Sequence, residues 1–197
     1  ALKSLIKPFQ TAMFDVEEAS ARAVLNNLFA PDATLHMCYP FGNLTGPDAL
    51  WETCIGPLHA AMPDLERRDM IVLAGTTPEG RDWIGCMGNY MGTFVAPFME
   101  IPPTGHLAYM RYHEFYQVKN GKIISMQAIW DMPELMMQAG AWPMAPQLGK
   151  FLCTPAPMSG DGLSVTGDGQ ATMDHVIAML TALCKYPSDP DPAVMEL

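Results

Sequence analysis

RYHEFYQVKNGKIISMQAIWD, Arg111 to Asp131, is the stretch that decides the fold. Asn120-Gly121 stands at its centre. Asn-Gly is the dipeptide best suited to a two-residue hairpin turn, in which both residues take positive φ. The flanks are rich in Tyr, Phe, Val and Ile, which favour a pleated, half-buried surface. Folding on this turn pairs Lys119 with Lys122. Strict alternation then sets Asp131 opposite Met110 and Ile129 opposite Tyr112. On that register Asp131, Ile129, Met110 and Tyr112 share one face, and Trp130, Ala128, Arg111 and His113 the other. A bulge would reverse the assignment.

Working outward, Leu65 to Ala74 reads as a strand and Thr76 to Arg81 as a turn. Asp82 to Phe98 and His106 to Val118 are two long strands, the first curved at Gly85, Gly88 and Gly92. Ile123 to Trp130 closes the run. Ahead of it, Leu2 to Ala30 is helical, with Asp15 and Glu18 spaced as a capping box. Thr34 to Tyr39 is a short strand. Asp48 to Met62 is a helix with Trp51, Ile55, Leu58 and Met62 on one face. Met132 to Gly140 is a last short helix. Helices segregated from consecutive antiparallel strands predict an α+β fold. The expected shape is a cone: a curved antiparallel sheet with N-terminal helices around an apolar pocket.

Residues 1–140 form this domain. Residues 141–197 form an arm, Pro- and Gly-rich from Trp142 to Gly169. It ends in a helix, Gln170 to Lys185, that places Met173, Val176, Ile177 and Leu180 on one face. That face is expected to pack on the domain or on a partner subunit. The acidic tail from Pro187 is expected to fray.

Composition narrows the functions. The chain has 197 residues, 49% hydrophobic and 16% charged, with net charge −10. Such a surface repels phosphate backbones and anionic lipid, so nucleic acid and membranes are excluded as partners. No run of eighteen apolar residues occurs, and Ala1 to Pro8 lacks the apolar core of a signal peptide. The five cysteines are scattered, with no C-x-x-C pair, which fits a reducing cytoplasm. His36, His59, His106 and His175 show no metal spacing, and no H-E-x-x-H occurs. Gly160-Asp161-Gly162 and Gly167-Asp168-Gly169 follow no strand, so they are not phosphate loops. Neither metal nor cofactor is expected.

Asp131 is the leading candidate for chemistry. It ends an apolar strand, where desolvation would raise its carboxyl pKa toward the range of a proton carrier. Asp131 and Glu134 also have capping-box spacing, so Asp131 has a second role as a helix cap. His113 is the second candidate, as a proton relay or donor; a half-buried sheet histidine is the plainer reading. Tyr39, Trp51, Tyr90, Phe94, Met110, Tyr112 and Ile129, with a total of seventeen methionines in the chain, suit a pocket for a small apolar or aromatic ligand. An ordinary core accounts for such residues as well.

Several segments together resemble the SnoaL-like polyketide cyclases of the nuclear-transport-factor-like superfamily. They are Ile101-Pro102-Pro103-Thr104-Gly105, Asn120-Gly121-Lys122-Ile123, Asp131 ten residues past Gly121, and Gln138-Ala139-Gly140. Pro40-Phe41-Gly42, Gly46 and Met62-Pro63-Asp64-Leu65 also fit. The resemblance spans Phe9 to Gly140. It implies a cone with an internal pocket, a homodimer, and ring closure by intramolecular aldol condensation without metal or cofactor. It also implies that Asp131 is the acid/base. Where many members carry Glu-His-Trp, this chain has Ser125-Met126-Gln127.

The function expected is therefore acid/base chemistry on a small apolar carbonyl compound. One alternative is a ligand-binding or dimerisation module with Asp131 only a cap. Another is epoxide hydrolysis or dehydration; epoxide hydrolysis calls for an Asp-Arg-Asp relay, of which Arg111 and Asp131 supply parts with no second Asp placed.

Overall fold

The computed structural model describes residues 2–149, 155–158 and 169–185. The chain divides into two compact units, 1–163 and 164–197. The first opens with a 3₁₀ turn, Leu2–Ile6, and two helices, α1 (Lys7–Ala12) and α2 (Glu18–Leu28). The cap of α2 is Glu17, not Asp15: its carboxylate accepts the N–H groups of Ala19 and Ser20 at 3.0 and 2.8 Å. Glu17 can do this because its own backbone is extended, as an N-cap requires.

Strand β1 (Phe29–Met37) starts five residues earlier than Thr34, where the sequence placed it. A short strand that sequence reasoning missed, β2 (Asn43–Thr45), pairs with it. The expected helix from Asp48 to Met62 is three pieces: α3 (Gly46–Leu50), a π turn (Trp51–Ile55) and α4 (Gly56–Ala61). Pro47 and Pro57 each sit in the first turn of their segment, where a missing N–H costs nothing.

Four long strands follow: β3 (Glu66–Thr76), β4 (Asp82–Thr93), β5 (Leu107–Lys119) and β6 (Lys122–Trp130). They pair antiparallel in sequence order, as the hairpin signal required. β4 stops at Thr93 and not at Phe98. Val95 and Ala96 turn away to bond the carbonyl of Ala61, and Phe98 pairs only with Ile101. The sheet order is β2-β1-β6-β5-β4-β3, and β1 runs parallel to β6. The sheet is thus mixed, where an antiparallel one was expected. Helices α3 and α4 and the three strands that follow them separate β1 from β6, so no hairpin turn constrains their direction.

The hairpin keeps Lys119 opposite Lys122, but the register slips between Gln117 and Val118, leaving Ile124 as an extra residue on β6. Tyr112 therefore faces Trp130, and His113 faces Ile129. This overturns the sidedness drawn from strict alternation. Met110, Tyr112, Glu114, Tyr116, Ala128 and Trp130 point into the core, while His113, Phe115 and Ile129 point out. One β-bulge moved every β6 side chain beyond it to the other face.

The core joins this inner face to Phe9, Leu25, Leu50, Trp51 and Leu58 of the helices. Helix α5 (Met132–Gln138) follows β6 directly. In the second unit, α6 (Gln170–Leu183) forms where expected. Most of the arm from residue 150 to 168, and the tail from Pro187, lie outside the described residues.

Candidate functional site

Asp131 stands where β6 becomes α5. Its N–H donates to the carbonyl of Arg111 at 2.8 Å, the last link of the β5–β6 ladder. Its Oδ1 accepts the N–H of Glu134 at 3.1 Å. Half of the expected capping box is present. The other half is not, because the Glu134 carboxylate is turned to the Tyr109 hydroxyl at 3.4 Å. Asp131 is half-buried.

The residue after Asp131, Met132, is a wall of an open cleft of about 590 Å³. Tyr39, Pro40, Met99, Ile101 and Met136 supply more of its apolar lining. Among the described residues, Glu100 is the only charged one on it. Residues from β1's exit, the Phe98–Ile101 turn and α5 thus converge at one place. Flexible, polarisable methionines make such a surface adaptable to irregular apolar ligands.

The other sequence candidates fall elsewhere. Tyr39 lines the cleft and is 91% exposed. Trp51, Tyr90, Phe94, Met110 and Tyr112 are buried in the core and do not line this cleft. Ile129 is 67% exposed on the outer face of the sheet, a consequence of the bulge at Ile124. His113 goes with it. It lines an outer-face depression of about 310 Å³ with His36, Phe115 and Gln127, and Asp131 is not among that depression's lining residues.

Sequence reasoning missed a charged cluster at the centre of the core. Arg67 and Glu114 meet at 2.5 Å with no exposed side-chain surface on either. Arg67 also holds Asp69 through two bonds of 3.0 Å. Glu114 accepts from Tyr90 at 3.1 Å, from the Trp130 indole at 2.9 Å and from the Tyr116 hydroxyl. The Arg67 guanidinium lies 4.2 Å from the Tyr112 ring centre and 5.0 Å from that of Phe9. Burial pushes the phenol pKa values of Tyr90, Tyr112 and Tyr116 well up, and the Glu114 charge adds to the rise. The buried Tyr112 hydroxyl has no partner among the described residues. A signal for this cluster did exist. Glu114 alternates with Met110, Tyr112 and Tyr116 on one strand face, so any inward Tyr112 requires an inward Glu114.

Among the described residues no group of His, Cys, Asp or Glu could hold a metal ion. No helix among them is long and apolar enough to cross a membrane.

This geometry has counterparts among solved structures. IdmH of Streptomyces antibioticus, a proposed polyketide cyclase, superposes with a TM-score of 0.58 at 20% identity, over 71% of this chain and 98% of its own. AclR of Streptomyces galilaeus, a proposed hydroxylase, gives 0.59 at 18% identity, over 75% and 89%. A SnoaL-like polyketide cyclase of Agrobacterium tumefaciens gives 0.54 at 17%, over 70% and 97%. No curated protein matches the chain. The family model of the SnoaL-like polyketide cyclases matches residues 9–139, the span from α1 through α5. With the curved sheet and its helices matching the same neighbours, this chain belongs to the SnoaL-like polyketide cyclase family.

Proposed function

We propose that this protein performs cofactor-independent acid/base chemistry on a small apolar carbonyl compound bound in the Met132 cleft, with Asp131 as the proton carrier. The observation that supports the reading is chain adjacency: Asp131, which is not itself a lining residue, directly precedes Met132, a wall of the apolar cleft. One of its oxygens accepts the Glu134 N–H, and the other is the one assigned to proton exchange. Asp131 takes a proton from the carbon alpha to the carbonyl. The carbanion attacks a second carbonyl of the same molecule, and the proton returns to the new alkoxide. The cleft's role is to hold the two carbons near attack distance. Deuterium exchange at the methyl group of 2-acetylnaphthalene, followed by NMR, tests the first step. Asp131→Asn is expected to cut protein-dependent exchange roughly a hundredfold or more. Wild-type exchange in that variant would leave Asp131 a cap only, as in a ligand-binding module.

A second reading has one specific observation in its favour. Asp69, Arg67 and Glu114 form an acid–arginine–acid row, which differs from the Asp-Arg-Asp relay sought at Arg111 and Asp131 by a Glu in place of one Asp. One carboxylate would take a proton from water while the other acid gives one to the opening epoxide oxygen. The row's burial favours the Asp131 reading.

The outer sheet face supports a homodimer. Leu73, Phe115 and Ile129 project from it, with 40%, 49% and 67% exposure. An apolar face of this kind is covered most simply by a second copy of itself. Light scattering of wild type and of Phe115→Lys/Ile129→Lys is the test: a dimer that becomes a monomer supports it.

A further inference from the structure

The turn that closes the cleft carries residues ill-suited to its backbone. Phe98 and Ile101 exchange both backbone hydrogen bonds, at 3.1 and 2.8 Å, so Met99 and Glu100 form a two-residue turn. Their φ angles are +46° and +67°. A turn with two positive φ values favours Asn-Gly, because a Cβ crowds the carbonyl oxygen in the left-handed region. The chain uses that solution elsewhere: Asn120 and Gly121, at +52° and +73°, make the β5–β6 turn. At 99 and 100 it is set aside. Both long side chains then line the same cleft. Strain concentrated where side chains meet a ligand surface points to a use for those side chains. Met99 supplies apolar wall. Among the described residues Glu100 supplies the only charge on the cleft, and its carboxylate has no hydrogen-bond or ion-pair partner there.

We propose that Glu100 is the recognition residue of the cleft, and that the apolar ligand it selects carries a hydroxyl which donates to this carboxylate. The proposal rests on the reading of the Met132 cleft as the ligand site. It adds a substrate class: hydroxylated apolar rings in preference to their donor-free counterparts. A carboxylate accepts a strong hydrogen bond from a hydroxyl and has nothing to offer an ether.

Calorimetric titration of the full chain with 1,5-dihydroxynaphthalene and 1,5-dimethoxynaphthalene tests it. Wild type is expected to bind the diol about tenfold more tightly. E100Q, which keeps the shape but replaces the anionic acceptor with a neutral one, is expected to lower that preference to about threefold. M99N/E100G restores the favoured turn residues. It is expected to raise Tm while abolishing the preference. Equal binding of the two probes by wild type would overturn the proposal and leave the cleft a ligand site. So would a tenfold preference retained in E100Q and M99N/E100G. A lower Tm in M99N/E100G would overturn it by removing the strain. Binding of neither probe would overturn both this proposal and the cleft reading beneath it.

Discussion

Arg67 and Glu114 meet at 2.5 Å in the middle of the core, each with its side chain wholly out of solvent. Breaking such a pair leaves a desolvated charge with no counter-ion. Arg67→Met keeps the volume and removes the charge. It should lower the unfolding free energy by about 3–5 kcal/mol. Urea denaturation of the purified variant measures this. A loss under 1 kcal/mol would show that Glu114 is held by its Tyr and Trp donors alone.

Asp131 gives a separable forecast for its two roles. As a cap, Asp131→Asn should leave stability nearly unchanged, since Asn ranks with Asp at that position. Asp131→Ala should cost about 1 kcal/mol, because the Glu134 N–H loses its acceptor. Thermal unfolding of both variants checks this without any substrate.

Gly88 is sterically required. A Cβ there would meet the Arg68 carbonyl oxygen at 2.0 Å and the Tyr112 hydroxyl at 2.5 Å. The first neighbour is backbone, so it cannot swing aside, and Gly88→Ala should destabilise by roughly 3 kcal/mol or more. At Gly85 the nearest atom is the Phe115 ring edge at 3.0 Å. That half-exposed ring can tilt, so Gly85→Ala should cost less than half as much. Equal losses at the two positions would show that the β3–β4 contact yields.

Alkali should unfold the protein before its inner tyrosines ionise. Burial holds the phenols of Tyr90, Tyr112 and Tyr116 well above their ordinary range. The folded state keeps their protons when the unfolded chain, above about pH 10, releases them. Their contribution is therefore complete below that pH, and stability falls as pH rises past it. Ultraviolet titration should show these three of the six tyrosines ionising only as circular dichroism is lost.

Thiol reactivity should divide along the same line. Burial pushes Cys54 and Cys86 up to about 12, so at neutral pH neither holds appreciable thiolate. Cys184 is exposed. Ellman's reagent should label Cys184 in the native protein and reach Cys54 and Cys86 only after urea is added. Fast labelling of either would mean that the core opens on the reagent's timescale.

The local signals in this sequence were strong wherever one short segment held the whole instruction. Asn120-Gly121 set a hairpin with Lys119 against Lys122, because turn geometry fixes register over its nearest residues. The strands from Glu66 to Trp130 and the cap at Asp131 were legible for the same reason. Segments 9–139 also carry enough of the family's pattern to place the chain within it. Beyond that, distance along the chain mattered. Ile124 is one extra residue with nothing unusual in its side chain, yet it exchanged the faces of Ile129 and Trp130. No local pattern marks such a bulge, which answers to how β5 and β6 twist against the core. The parallel pairing of β1 with β6 likewise joins segments some ninety residues apart. Arg67 and Glu114 are forty-seven residues apart, and although strand alternation turns Glu114 to the same face as Tyr112, nothing local names Arg67 as its partner. Only the closing of β3, β4 and β5 into one sheet put them together, because a buried charge becomes tenable once its partner is already there.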